Sequence, residues 1–385
     1  MFTVFHIIGR TVSIGALLGI LYTAIALAAL ALFARRRSTP LATAPDVTIL
    51  KPVCGAEEGL YENLRSFCRQ SYAGAVQVVI GAHRESDPAV AIARKLIADL
   101  PEADIALVID GTLHGSNFKV CNLSNMMALA KHGTLVIADS DMRVEPHYLD
   151  AVVGTLQKPG VGLVTCLYKG RPAGGLSSVL GAAFINFGFL PSVLVGRLLA
   201  ADTGCFGATM ALTRKTLTEV GGFGALINHL ADDYVLGDLV RRTGMKVALA
   251  PYLIETIVAE PGFDSLYRHE LRWQRTIRSI TPVGLAASVI TNPVALSLLA
   301  LPLRGFEPHA WLALAASVAA RLALVYTYAQ AFRLPALKAY LLPIRDILSF
   351  VILVASFCGQ RVTWRDRSFQ VDQRGELTFE GDPLA

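Results

Sequence analysis

Charged and uncharged stretches divide the chain into three regions. Thr11 to Ala34 is 24 residues without a charge, bounded by Arg10 before it and by Arg35, Arg36 and Arg37 after it. As a helix at ~1.5 Å per residue this run reaches ~36 Å, enough for a ~30 Å hydrocarbon core. The three arginines predict a cytoplasmic flank, with the N-terminus outside and the following residues inside. A cleaved signal peptide would have a shorter apolar core, of ~7–15 residues. Apolar text returns after Arg278. Residues 279–303 carry no charge but contain Pro282, Pro293 and Pro302; about 310–332 contains Arg321; about 339–360 contains Arg345 and Asp346. Charges in such segments are expected to face a wet groove or the headgroups. The prolines point to one segment lying in the interface rather than crossing. Arg361, Arg365 and Arg367 favour the cytoplasm, which asks for an even number of crossings where the text shows three stretches.

The middle reads differently. Val47-Thr48-Ile49-Leu50, Val76 to Ile80, Ile105 to Ile109 and Leu135-Val136-Ile137-Ala138 are strand-like apolar runs. Between them, Glu62 to Gln70, Asp87 to about Asp99 and Asn117 to His132 read as helices, the second opened by Pro88 near its first turn. Strands alternating with helices predict an α/β domain with a doubly wound, mostly parallel sheet. Ligands on such sheets bind outside the carboxyl ends of strands, here just after Ile80, Ile109 and Ala138. The expected organisation is therefore an N-terminal anchor with its basic flank over 1–44, a cytoplasmic catalytic domain over 45–278, two to three transmembrane or interfacial helices over 279–360, and a tail over 361–385.

Composition narrows the class. Of 385 residues, 53% are apolar and 17% charged, against roughly 25% charged in an ordinary soluble domain. Disorder, collagen-like repeats and a plain cytosolic enzyme are excluded on that ground. A net charge of +5 is too small to argue for nucleic acid. The six cysteines form no CxxC pair and no zinc spacing, and read as reduced thiols facing a cytoplasm.

The chemistry-bearing residues follow the strands. Asp139-Ser140-Asp141 places two carboxylates one residue apart at a strand's end, where they can hold a hard divalent cation and through it a diphosphate, or simply make a turn. Asp87 either receives a base or ribose or caps the helix after it. The loop from Asp110 to Asn117 opens a helix and suits an anion, with Lys119 positioned for a phosphate or for solvent. His229-Leu230-Ala231-Asp232-Asp233-Tyr234 pairs two acids beside apolar residues, either as helix N-terminal charges or with one raised in pKa to serve as a base. Arg268-His269-Glu270-Leu271-Arg272-Trp273-Gln274-Arg275, followed by Arg278, is either a stripe for anionic headgroups or a guanidinium and an indole closing over a diphosphate and acceptor. Leu176 to Ala201 is apolar but broken by glycine and by Pro191; it reads as an interfacial element guiding a lipid or as an inner helix of the catalytic domain.

DSD after a strand, DDY about 90 residues later, then HxxRW and membrane segments resemble the lipid-directed and processive glycosyltransferases with the pattern D, DxD, D, (Q/R)xxRW on a GT-A fold. The chain is more similar to the ceramide glucosyltransferase family through Ile49-Leu50-Lys51-Pro52, Ser86-Asp87-Pro88-Ala89, Asn117-Phe118-Lys119, Asp139 to Val144, Gly162-Leu163-Val164, Asp232-Asp233-Tyr234 and Trp364-Arg365-Asp366-Arg367. It resembles most the bacterial hopanoid-biosynthesis-associated glycosyltransferases, through Leu60-Tyr61-Glu62-Asn63-Leu64, His114-Gly115-Ser116-Asn117, Cys166 to Gly170, Gly188 to Gly196 and His269-Glu270-Leu271-Arg272-Trp273. The likeness spans roughly 45–370.

The resemblance implies an inverting transfer from a UDP-sugar to a lipid hydroxyl at the bacterial inner membrane, with the catalytic domain in the cytoplasm. Asp87 would lie near the uridine, Asp139 and Asp141 at Mg²⁺ or Mn²⁺ and the diphosphate, Lys119 and His269 on the UDP-sugar. Asp233 would be the base, with Arg272 and Trp273 completing the catalytic set. The hopanoid relatives imply N-acetylglucosamine passed to a hopanoid polyol such as bacteriohopanetetrol; the ceramide relatives imply glucose passed to ceramide. Two positions depart from the pattern: His269 stands where glutamine or arginine is usual, and Thr165 where the animal ceramide enzymes carry histidine. The competing classes are a processive polysaccharide synthase, for which the spans are too few, and a non-catalytic membrane scaffold.

Overall fold

The structure, a computed structural model, describes residues 2–38, 40–200, 204–335 and 337–359, and beyond them only the strands Arg361–Trp364, Arg367–Val371 and Leu377–Phe379. Of the Trp364-Arg365-Asp366-Arg367 motif, Arg365 and Asp366 lie outside the described residues. The chain divides into two compact units, one from residues 36–169 and 204–257, the other from 2–35, 170–200 and 258–359.

The first unit is built on a sheet of β1 (Val47–Pro52), β2 (Val76–Ala82), β3 (Asp104–Ile109), β4 (Thr134–Ile137), β5 (Met142–Arg143), β6 (Val161–Pro172), β7 (Met210–Thr213) and β8 (Lys246–Val258), in the order β3-β2-β1-β4-β7-β6-β8-β5. β1 runs parallel to β2 and β4, and β2 to β3. Helices α2 (Leu60–Cys68), α3 (Pro88–Asp99) and α4 (Phe118–Met126) make the crossovers that parallel pairing requires. Past β4 helices still separate most of the strands, but β7 pairs antiparallel with β4 and β6, as β5 does with β8. The sheet is thus mixed, parallel over β1 to β4 and antiparallel beyond. Helices α5 (Tyr148–Leu156), α8 (Arg214–Glu219) and α9 (Asp232–Arg242) complete the unit. β1 is buried throughout: Val47 and Ile49 pack with Leu60, Leu64 and Phe67, while Leu50 turns to Val120, Leu123 and Met126. Burial on both faces explains its mostly apolar text.

The second unit is helical: α1 (Phe2–Ala34), α6 (Leu176–Phe184), a π-helical turn Ile185–Phe189, α7 (Leu190–Leu198), α10 (Phe263–Ile280), α11 (Pro282–Ala287), α12 (Pro293–Leu303), α13 (Pro308–Phe332) and α14 (Leu341–Ser356). Residues 170–200 and 258–278, which the linear reading assigned to the catalytic domain, cluster here with the apolar helices. Among the described residues three helical runs are long and apolar enough to cross a membrane: Phe5–Ala34, Leu176–Leu198 and Pro308–Phe332. The text broken by Gly188 and Pro191 is one continuous run, because the π turn absorbs the irregularity. Pro282–Thr291 and Pro293–Leu303 meet at 74°, a bend that falls where Pro293 starts a new helix. α14 has 16 residues, fewer than the ~20 a crossing helix needs. α1 approaches the bend closely: a Cβ on Gly19 would lie 2.3 Å from the Ile290 carbonyl oxygen.

The expectation that Arg321, Arg345 and Asp346 face water or headgroups is corrected. All three are buried. Arg321 grips Asp346 with Nε and Nη2, and its Nη1 donates to the Phe187 carbonyl in the π turn at 3.0 Å. Arg345 binds Glu270 bidentately, at 2.6 and 2.7 Å. Charges in apolar surroundings persist when paired and fully hydrogen-bonded, and these partners come from different helices, successive ones for Arg321 and Asp346 and 75 residues apart for Arg345 and Glu270.

Candidate functional site

The site in the first unit begins at the carboxyl edge of β1, β2 and β4, where the topology of an open α/β sheet places ligands. After β2, Asp87 caps α3: its Oδ1 accepts from the N–H of Ala89 at 2.9 Å and from that of Gly55, just after β1, at 2.8 Å. The capping role is therefore fulfilled, and Asp87 also ties together two loops of that edge. After β4 come Asp139 and Asp141. Asp141 Oδ2 accepts from Thr256 Oγ1 of β8 at 2.8 Å, and burial, then the neighbouring Asp139, pushes its carboxyl up.

Lys119, in the first turn of α4, places Nζ 2.8 Å from Asp139 Oδ1 and 3.2 Å from Asp232 Oδ2. Burial works against its charge, but Asp139, Asp232 and Asp233 outweigh it, and its pKa rises. It stands as a counter-ion among acids. Asp232 and Asp233 form the first turn of α9, favourable for the helix dipole. Asp232 is buried. Asp233 is half-buried, with Oδ2 accepting from Gly207 N–H at 2.9 Å and Oδ1 from Tyr234 N–H at 2.7 Å. Burial first, and then the charge of Asp232, hold Asp233 up to about 6. One cluster thus joins Asp139, Lys119, Asp232 and Asp233 from three distant stretches, with Asp141 beside it.

Three further contributors had no role in the site from the sequence, although Lys51 and Thr165 stood out as motif positions. Lys51 is fully buried in β1; its Nζ donates to the Asp139 carbonyl and sits 3.9 Å above the Phe67 ring, and burial draws it down to about 8. A lysine inside an otherwise apolar strand was the available signal. Gly207 gives its N–H to Asp233 and its carbonyl to the Asp139 N–H. Thr165 Oγ1 accepts from Phe206 N–H at 2.9 Å and donates to its carbonyl at 3.1 Å, holding that loop. A Cβ at Gly207 would lie 2.7 Å from Asp139 Oδ2, and turning the Asp139 carboxylate away is the cheapest relief. Gly207→Ala is expected to lower turnover by on the order of 10- to 100-fold with the unfolding temperature nearly unchanged. Parental activity in that variant would show that Asp139 need not hold this orientation.

Among the described residues no three metal-ligating side chains gather as a ready-made cation site. Asp139 and Asp141 nonetheless suit a hard dication bound by two carboxylates together with phosphate oxygens and water, the usual arrangement for Mg²⁺. The charge balance agrees, since Asp139, Asp141, Asp232 and Asp233 outnumber the two lysines beside them.

The basic cluster lies on α10 of the second unit. Arg275 and Arg278 donate to the Cys358 and Gly359 carbonyls, each at 2.7 Å, and Arg278 also to that of Ser356, so two of the arginines satisfy the C-terminal end of α14 rather than headgroups. His269 and Trp273, one turn apart, stack edge-on at 4.5 Å, and Trp273 leans on Phe184 at 5.9 Å. Arg272 is half-buried between them in sequence.

A family model described as Glycosyl transferase family 21 matches residues 11–377. Ceramide glucosyltransferase 1 of Caenorhabditis elegans is 26% identical over 214 residues, which is 55% of this chain and 46% of that protein. The ceramide glucosyltransferase of Gibberella zeae is 30% identical over 151 residues, 36% of this chain and 29% of its own. The chain spans about half the length, or less, of these curated relatives. Among solved structures, the mannosyltransferase PcManGT of Pyrobaculum calidifontis, determined with GDP-Man and Mn2+, superposes with a TM-score of 0.55 at 19% identity, covering 93% of this chain and 98% of that one. That likeness is one of fold, a GT-A-like glycosyltransferase architecture.

Proposed function

The chain belongs to glycosyl transferase family 21, and on that premise we propose that it transfers a sugar from a UDP-sugar to the hydroxyl of a membrane lipid. The observation that carries the reading is the cluster of Asp139, Lys119, Asp232 and Asp233, in which the half-buried acid is held near pH 6. A carboxylate of that strength accepts a proton from an acceptor hydroxyl at neutral pH while remaining a base of useful strength. Asp232, 3.2 Å from Lys119, adds to burial in raising Asp233. Asp139 and Asp141 would hold the cation, with Mg²⁺ or Mn²⁺ equally compatible with two carboxylates. When bound, it offsets the charge growing on the departing diphosphate. Asp87 and the loop it ties receive the nucleoside, and Lys51 fixes the backbone of the metal motif from below. Arg272 adds positive charge to the leaving group and Trp273 shapes the acceptor side. Attack opposite the leaving group inverts the anomeric carbon.

A lipid acceptor accounts for the apolar helices, since a soluble acceptor needs no anchor. Arg35–Arg37 support a cytoplasmic location for the sheet-bearing unit. Ceramide receiving glucose is the first acceptor reading, supported by the names of the matched relatives. A hopanoid polyol receiving N-acetylglucosamine is the second. Thr165 favours it, being spent on the Phe206 backbone where the animal ceramide enzymes carry histidine.

Mass spectrometry of lipids formed by the purified protein in mixed micelles tests both. Ceramide and bacteriohopanetetrol are each offered with UDP-glucose and UDP-N-acetylglucosamine. A hexosylated product of one pairing is the expected result and names the acceptor. No product with any pairing sinks the reading in favour of a non-catalytic binder.

A further inference from the structure

Helix α2 and strand β5 of the first unit are joined along their length by hydrogen bonds, yet a cleft of about 160 Å³ stays open beside the seam. Buried Asn63 donates from Nδ2 to the Ser140 carbonyl at 3.4 Å, and its Oδ1 accepts from Arg143 Nε at 3.1 Å. Ser66 Oγ donates to the Asn63 carbonyl at 2.6 Å and accepts from the Val144 N–H at 3.1 Å. One turn on, Gln70 Nε2 donates to the Glu145 carbonyl at 3.2 Å. Glu62, Arg65, Ser66, Arg69, Arg143 and Val144 line the cleft. Its volume is far above the ~10–15 Å³ that one water needs.

The charge of this lining is unbalanced, with three guanidinium groups against one carboxylate. Arg65 Nη1 lies 3.2 Å from Glu62 Oε2. The exposed side chain of Arg69 and the two terminal nitrogens of Arg143 have no hydrogen-bond or ion-pair partner among the described residues. Arginine stays charged at any working pH, so the positive excess depends on no titration. Arginines at the C-terminal end of α2 suit the helix dipole, which accounts for Arg65 and Arg69. It does not account for Arg143, which comes from β5 and brings a like charge into the same space. Anchored at Nε by Asn63, that guanidinium is restricted in orientation and keeps two free donors in the planar fork that matches phosphate oxygens.

We infer that the cleft between α2 and β5 binds a phosphate-class oxyanion, gripped by Arg65, Arg69 and Arg143. A phospholipid headgroup and a free phosphate share that chemistry. The inference asks nothing of the transfer reaction, and no bond forms or breaks in the cleft.

Arginine modification by phenylglyoxal, followed residue by residue with mass spectrometry, tests the site on the full-length protein. The reference state is a maltoside detergent, which carries no phosphate. One arm adds inorganic phosphate to it; the other moves the protein into phosphatidylglycerol nanodiscs without added phosphate. Saturating anion is expected to slow labelling of Arg69 and Arg143 by about tenfold. Arg242, outside the cleft and 74% exposed at its side chain, should label at an unchanged rate. Protection by inorganic phosphate assigns the free anion, and protection only in the nanodiscs assigns the headgroup. Arg69→Gln, an exposed position that should leave the unfolding temperature unchanged, is expected to raise the phosphate concentration that half-protects Arg143 by about tenfold. Protection in neither arm, equal slowing at Arg242, or an unshifted midpoint in Arg69→Gln overturns the site. So does protection by UDP at concentrations where inorganic phosphate gives none, since the cleft would then belong to the donor site.

Discussion

Replacing Asp233 with asparagine is expected to lower transfer by about 10²–10⁴-fold while UDP affinity changes by less than about threefold. The amide keeps the shape and its one oxygen can still accept from Gly207 or from Tyr234, though not from both, and it cannot take a proton from the acceptor. Equal losses of transfer and UDP affinity would remove Asp233 from the role of base. The pH profile is the finer test. Burial first, then Asp232, raise the Asp233 carboxyl to about 6, and the base works only when ionised. Turnover should therefore be full above pH 7 and fall as pH drops through about 6, with one proton taken up. Asp232→Asn removes the neighbouring charge, so the acid limb should move to lower pH. A limb that stays in place would mean that another group titrates there.

The largest effect on stability is expected at Arg345 and Glu270, which are 2% and 3% exposed at their side chains and bind each other through the two terminal guanidinium nitrogens. Removing one partner of a buried pair costs ~3–5 kcal/mol, whereas replacing both by apolar residues is often neutral. The two halves are not equivalent. Burial pushes the Glu270 carboxyl up, so in Arg345→Met it can protonate and shed part of the penalty. In Glu270→Leu the guanidinium stays charged, since arginine does not deprotonate, and the loss should be greater. Denaturation in detergent should rank the proteins as parent, double variant Arg345→Met/Glu270→Leu, Arg345→Met, then Glu270→Leu. Single losses that simply add in the double variant would show that the pair is not coupled.

Much of the first unit was legible in the text, for identifiable reasons. β1, β2 and β4 are short apolar runs because both of their faces are buried, and helices alternate with them because parallel strands need crossovers. Asp139, Asp141 and Asp233 were legible because they stand at the ends of such elements. The antiparallel half was not: β7 and β8 carry no pattern that names their partners, and pairing is a long-range choice. Lys51 and Thr165 were named as motif positions without a role in the site, and Gly207 was not named, because each acts through a backbone group that lies far along the chain. The linear text also misread Arg321, Arg345 and Asp346. A charge in an apolar segment announces a need for a partner and says nothing of which partner meets it.

The sequence by itself determined the periodicities, the basic flanks and the ordered set of acids, since these depend on neighbours a few residues apart. It thereby determined the kinds of element and the family. Only the tertiary structure decided which charges neutralise which. Lys119 lies between Asp139 and Asp232, Arg345 on Glu270, and Arg321 on Asp346. The physical reason is that a Coulomb interaction and the cost of burying a charge depend on distance and surroundings in space, and those exist only once segments separated by tens of residues have packed together.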